Sequence, residues 1–376
     1  MENQVGTKSE MDLEINQLDL EQSRNEHFFA LPNGISKWIA INILKGKEEK
    51  NIFIVYVMID ILLTTVPLAI ALYALDGRVP DFFTSFLGLF YVLFNLFIHA
   101  RSFILAFHYS THTPIFNRKW NFLKHINTSI LCNLFGMPLW TYYAHHIAMH
   151  HCENNVIPHD VSSTMPYQRD SKLEHLKYML RYVFLIWFEL PYHLIQQKRY
   201  KVATRCLVGT LIFFISIYYL FQLRPIATLF VFILPTTILS FALMEGNWKQ
   251  HIFVDPDDPE NIYKSTYTCI NTSTNSLNFN DGYHIEHHEN PGIPWHCLPK
   301  YFQSRIANYA EQDGFIFTNI GSGQVGRLVL NGQLEQLADR YLNVGQKIRT
   351  KEELVEEFKR RLQPIDPSRE TEADFV

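Results

Sequence analysis

Apolar residues gather into four stretches long enough to cross a bilayer, and most of the remaining chain is polar. Residues 52–75 contain one ionisable side chain, Asp60, in 24 positions. At about 1.5 Å per residue such a helix measures about 36 Å, enough to span about 30 Å of hydrocarbon with some tilt. Residues 82–107 repeat the pattern, with His99 and Arg101 near the end, and 76–81 between them carry Gly77 and Pro80 and predict a tight turn. Residues 204–221 and 226–244 form a second pair joined by 222–225. The pattern predicts two helical hairpins. Residues 130–143 are apolar but short and interrupted by Gly136 and Pro138, so they are expected to lie in or on the membrane without crossing it. Arg181, Glu189 and Pro191 make 176–194 read as an interfacial helix. Near the C-terminus, Thr350 and Glu353 have capping-box spacing, and Leu354, Phe358 and Leu362 make a helical stripe before Pro364. A small helical cap is expected there, with no chemistry of its own.

Charge gives the orientation. Lys37, Lys45, Lys47 and Lys50 precede the first span, many Lys and Arg lie between the hairpins, and each short turn holds a single Arg, Arg78 or Arg224. Positive residues favour the cytosolic side, so both termini and the central segment are expected there. No apolar run precedes residue 52, which predicts no cleavable signal peptide. The expected fold is all-α integral membrane: four transmembrane helices in two hairpins with a cytosolic cap. Its expected parts are a cytosolic tail (1–50), a membrane domain (51–300) and a cytosolic helical segment (301–376). A net charge of -4 lacks the basic footprint of a nucleic-acid binder. Five Cys without close pair spacing fit reduced thiols. Asp60, near the middle of its span, is expected to be protonated or paired in a structural hydrogen bond.

Histidine changes the picture most. Of 17, nine fall into four boxes: His108 and His112 as H-x-x-x-H; His146, His150 and His151 as H-x-x-x-H-H; His251 with Asn247 as N-x-x-x-H; and His284, His287 and His288 as H-x-x-H-H. Residues three or four apart share a helix face, so each box can aim its imidazoles at one point. A lone histidine is usually a hydrogen-bonded core residue; four boxes at helix ends and in the cytosolic stretch point instead to metal, for which neutral imidazole is the commonest ligand. Nine are too many for one first-row ion and suit two six-coordinate ions. Imidazole alone does not choose among Fe, Zn, Cu and Ni. His145, just before the second box, is read as a supporting or surface residue. His99, His125, His159, His175, His193 and His296 are read as ordinary polar side chains.

The order of these boxes between two hairpins resembles the membrane fatty acid desaturase family, which includes stearoyl-CoA and acyl-lipid desaturases. His287-His288 followed by Pro291, Pro294 and Leu298-Pro299 is similar to that family's HHxxPxxPxxxLP stretch. The resemblance covers roughly residues 50–300. It implies a non-haem di-iron centre at the cytosolic face, with His108, His112, His146, His150, His151, His251, His284, His287 and His288 matching iron-ligand positions. Asn247 matches the Asn that, in the stearoyl-CoA type, reaches a metal through water. Convergence of the boxes on one cluster is a second reason why 130–143 should not span. It further implies a long-chain acyl-lipid or acyl-CoA substrate, O2 as co-substrate, and endoplasmic reticulum membrane if the cell is eukaryotic.

Hydrogen removal from an unactivated methylene needs a strong oxidant, which two irons and O2 can supply. Asp160, Glu153, Glu245, Asp281, Glu286 and Glu289 lie near boxes and are candidates to orient the rings. No H-P-G-G stretch suggests a fused haem domain and no G-x-G-x-x-G follows a strand, so a separate electron donor, cytochrome b5 or a ferredoxin, is implied. The basic stretch 169–205, which includes Arg169, Lys198 and Arg205, could dock an acidic donor or face anionic headgroups. A hydroxylase, acetylenase or alkene-forming enzyme would use the same boxes. A metal transporter is the reading from another class, but its ligands should lie near mid-membrane.

Overall fold

The computed structural model describes residues 19, 27–47, 49–344 and 348–366. Expectations for the rest of 1–50 and for the final ten residues lie outside the described residues. The chain is predominantly helical, and its contacts divide it into two units: Met1–Arg24, Met149–Ile186 and Leu243–Val376 form the first, Asn25–Ala148 and Trp187–Ala242 the second.

Among the described residues, four helices are long and apolar enough to cross a membrane: Glu49–Leu75, Asp81–His112, Tyr200–Leu223 and Pro225–Gln250. Each runs past the apolar stretch that announced it, because a helix continues beyond the hydrocarbon where its backbone bonds continue. In the second unit, Thr65–Leu75 packs on Asp81–Phe94 and Ile52–Leu63 on Ala100–His112. Gly77 supplies the positive φ of the first connection (72°). Asp76 Oδ2 then accepts the backbone N–H of Ala227 at 2.9 Å, capping the helix that begins at Pro225 and tying the two short connections together.

Asp60 is buried, and its two carboxylate oxygens accept the backbone N–H groups of Phe28 (2.8 Å) and Phe29 (2.9 Å). This is the structural pairing that a mid-span carboxylate needs. Residues 130–143 form no continuous helix. Gly136 and Trp140 both take positive φ, and a side chain on Gly136 would strike the Thr236 backbone.

The first unit carries a parallel pair, β1 (Tyr267–Ile270) and β2 (Phe315–Thr318), in register Tyr267 to Phe315. All four β1 residues are buried, as a strand covered on both faces requires. Trp248, Phe253, Phe315, Phe317, Leu354, Phe358 and Leu362 share one core cluster with it. The last three belong to the C-terminal helical stripe. Its helix, Lys351–Arg361, starts at a reciprocal cap: Glu353 N–H donates to Thr350 Oγ1 (3.2 Å) and Thr350 N–H to Glu353 Oε2 (2.8 Å). Lys172–Gln196 is one helix containing Pro191 and leaves Phe184, Phe188 and Tyr192 exposed.

Candidate metal centre

Each box sits where a helix ends or changes pitch. His108 and His112 close the helix Ala100–His112. His146 and His150 lie on a π-helical segment, Tyr143–His150, and His151 opens a short α-turn. The wider π pitch still returns residues four apart to nearly the same face, and such segments recur at functional sites. Asn247 lies on the helix ending at Gln250, with His251 directly after it. His284, His287 and His288 occupy the six-residue helix His284–Glu289.

In the second unit, the ring centroids of His108 and His112 are 4.8 Å apart, His108 and His146 4.5 Å, and His112 and His146 5.0 Å. Their ligating nitrogens lie within 4.8 Å of one another. His108 Nδ1 is 3.0 Å from the Tyr142 hydroxyl, which fixes the ring plane.

The first unit gathers the other six. Nitrogens of His150, His251 and His288 lie within 4.8 Å of one another, and all three rings are buried. His284 stands 4.6 Å from His288 by centroid, His151 4.6 Å from His288, and His151 4.7 Å from His287. Two partners behind the rings orient them. His150 Nδ1 meets Asp160 Oδ2 at 2.7 Å, while Asp160 Oδ1 accepts Ser162 N–H (2.7 Å) and Oγ–H (2.6 Å). His251 Nδ1 donates to the Ser265 carbonyl at 3.0 Å. Each fixes the proton on Nδ1 and leaves Nε2 as the donor atom for a ligand bond.

Electrostatics keep the His251 and His288 rings neutral. Burial, then the His150 ring, push His251 down to about 3. Burial and four neighbouring imidazoles hold His288 well below the usual histidine range. His288 Nε2 is buried with no hydrogen-bond partner. Neutral, converging imidazoles with an unpartnered buried nitrogen fit a cationic first-row metal, and little else would compensate so many desolvated acceptors.

The remaining candidates divide. Of the six nearby acids, Asp160 is bonded to a box histidine. Glu286 is buried and accepts from Tyr309 (2.5 Å) and Thr268 (2.9 Å); Glu289 pairs with Arg305; Asp281 accepts from Gln250. Glu245 meets His175 at 2.6 Å, an ordinary pairing outside the boxes. Asn247 Nδ2 donates to the Ser162 carbonyl (3.1 Å) and the Tyr178 hydroxyl (2.7 Å). Arg169 does not belong to an exposed basic stretch. It is fully buried, because its guanidinium is spent on backbone carbonyls of the first unit. Sequence reasoning did not find Tyr142, Ser265, Tyr309 or Thr268. No spacing rule links Tyr142 to a histidine 34 positions earlier, and a backbone carbonyl leaves no trace in sequence.

No curated protein and no solved structure matches the chain. The model of the family described as fatty acid desaturase matches residues 82–319, a stretch that contains all four boxes. The chain therefore belongs to the fatty acid desaturase family.

Proposed function

We propose that the protein is a membrane di-iron desaturase that inserts a double bond into a long acyl chain, using O2 and two electrons from an external donor. The reading is carried by the convergence of buried imidazoles around His288, braced by the Asp160–His150 contact. His108, His112, His146, His150, His151, His251, His284, His287 and His288 are the proposed iron ligands, with Asn247 acting through water. Iron, when bound there, supplies the oxygen activation needed to take hydrogen from an unactivated methylene. Two hydrogens leave the acyl chain as O2 is reduced to two waters, the remaining two electrons coming from cytochrome b5 or a ferredoxin and the remaining two protons from solvent.

The chain's own part is positional. Asp160 and the Ser265 carbonyl hold protons at Nδ1 of His150 and His251, and Tyr142 sets the plane of His108. Burial of the rings keeps bulk water from competing for the ligand nitrogens. The link between Asp76 and Ala227 supports a pair of hairpins turning at one end; the Lys and Arg distribution supports boxes and termini on the cytosolic side, and in a eukaryote the proposed membrane is the endoplasmic reticulum.

Two measurements test the reading: metal content of the purified protein and mass spectrometry of acyl chains after expression in a lipid-producing host. Two irons per chain and a product two hydrogens lighter are expected. A reproducible single zinc with no iron, or an acyl product gaining oxygen, would overturn the metal or the desaturation outcome respectively.

A further inference from the structure

Beside the second unit's histidines lies a cavity of about 270 Å³ whose wall includes Phe107, Thr111, Lys124, Trp140, Tyr142 and Arg205. Three observations bear on what it takes. First, Tyr142 lines it and its hydroxyl stands 3.0 Å from His108 Nδ1, so one side chain separates the cavity from a proposed ligand ring. Second, a lysine and an arginine line it, and among the described residues neither Lys124 nor Arg205 makes an ion pair or a side-chain hydrogen bond. Third, part of its wall comes from membrane-helix ends and the rest from 124–143. Phe107 and Thr111 lie in the last turns of Asp81–His112 and Arg205 in the first turns of Tyr200–Leu223, with Trp140 41% and Tyr143 47% exposed nearby.

Exposed aromatic side chains beside span ends mark headgroup depth. Unpaired Arg and Lys at that depth suit a phosphate oxygen, which Arg can grip with two parallel N–H groups and Lys as a point charge. An apolar wall of Phe107 and Trp140 suits the chain beginning below it. We infer that this cavity holds the phosphate headgroup of a membrane phospholipid, so that the enzyme takes its acyl chain from lipid already in the bilayer. Coenzyme A, with several phosphates in water, would call for more cations and a site clear of the hydrocarbon. The inference rests on the desaturase reading for its consequence, but the binding it asserts can be measured without turnover.

The test is calorimetric titration of the purified full chain in uncharged detergent with three probes: dihexanoyl phosphatidylglycerol, dihexanoylglycerol and coenzyme A. The phosphate-bearing lipid should bind at least about tenfold more tightly than the neutral one, the scale of one charge-assisted hydrogen bond. K124Q/R205Q should erase that difference, while K124R/R205K, which keeps both charges, should retain most of it and exclude misfolding as the cause. Equal binding of the two lipids, or an unaffected K124Q/R205Q variant, would overturn the site. So would coenzyme A binding that the same variant abolishes, since the source would then be soluble. Phosphate-selective binding without any oxidised acyl product would uphold the site and count against the desaturase reading instead.

Discussion

The Asp160 carboxylate stands 2.7 Å behind His150 Nδ1 and is itself held by the N–H and hydroxyl of Ser162. The whole assembly is buried. A carboxylate in that position fixes the histidine tautomer and makes Nε2 a better donor to metal.

Asp160→Asn removes the charge but keeps the size. Partners of this kind typically contribute about 10–100-fold in metal affinity. Iron retained against a graded chelator challenge should fall by about that factor, with membrane insertion unchanged because no span is altered. Iron retention equal to wild type would show that the contact does not serve the metal.

Glu286 lies between two box histidines and points away from them, to Tyr309 and Thr268. It anchors the short helix His284–Glu289 to β1 and to the helix Leu298–Gln312. Tyr309→Phe leaves one buried acceptor short of a donor, which costs about 1–3 kcal/mol. A lower melting temperature with unchanged turnover per bound iron is expected. A change in turnover per iron without a stability loss would place Tyr309 in the chemistry.

Asn247 uses its amide nitrogen on Ser162 and Tyr178, and its proposed part in the metal site falls to Oδ1. Asn247→Ala should therefore lower both stability and iron content. Tyr178→Phe removes one amide partner but spares Oδ1, and should lower stability alone. If both variants keep full iron and lose only stability, Asn247 is a structural brace.

The C-terminal helix is fastened by Arg360 to Asp255 (2.8 Å) and by Arg361 to Asp313 (3.1 Å), while Glu357 one turn back in the same helix holds Arg361 (2.7 Å). Burial works to raise the Asp255 and Glu357 carboxyls. Hydrogen bonds from Arg360 and the Arg361 charge outweigh it and hold both below their ordinary values of 3.8 and 4.5. A lowered folded value means the unfolded chain binds protons first as pH falls. The stabilisation is then complete above about 4.5 and is lost as pH drops through the folded values. Amide protection across 351–361, corrected for the intrinsic pH dependence of exchange, should be flat from neutral pH to about 5 and fall below about 4. Asp255→Asn should exchange faster at neutral pH and respond less to acid; an identical pH profile would rule out the carboxylate clamp.

What the sequence disclosed follows from which forces are local. The four spans were legible because hydrocarbon imposes length and polarity on contiguous residues, and the Thr350–Glu353 cap because both partners lie within one turn. The boxes were legible as chemistry because imidazoles at i, i+4 have few other uses in such numbers. The β1–β2 pair was not, since four-residue strands show no usable period and their partners are 48 positions apart by register. Nor could six acids near the boxes be ranked: Asp160 differs from Glu286 in where a fold directs it. Arg169 was read as surface charge because nothing local announces the distant carbonyls it meets.

Those carbonyls make Arg169 the residue whose loss should spread furthest. Its Nε donates to Ile252 O (3.0 Å), Nη1 to Met165 O (3.0 Å), and Nη2 to Arg361 O (2.8 Å) and Gln363 O (2.7 Å). Ile252 follows His251 directly, and Thr164 Oγ1, beside Met165, donates to the His251 carbonyl at 2.6 Å. One guanidinium thus joins the segment after the second box, the third box and the end of the C-terminal helix. Burial pushes it down to about 9, still charged at neutral pH. Lysine keeps the charge but offers a compact ammonium in place of a planar fork, and cannot reach carbonyls on several sides. Arg169→Lys should leave two or more buried acceptors unmet, at about 1–3 kcal/mol each, a large share of a typical fold's stability. A melting temperature lower by several degrees and reduced iron retention are expected together, because the His251 backbone loses its brace. Arg169→Met should be at least as damaging. Wild-type melting in Arg169→Lys would mean that the forked geometry contributes nothing, and wild-type iron retention in a destabilised variant would separate the brace from the metal site.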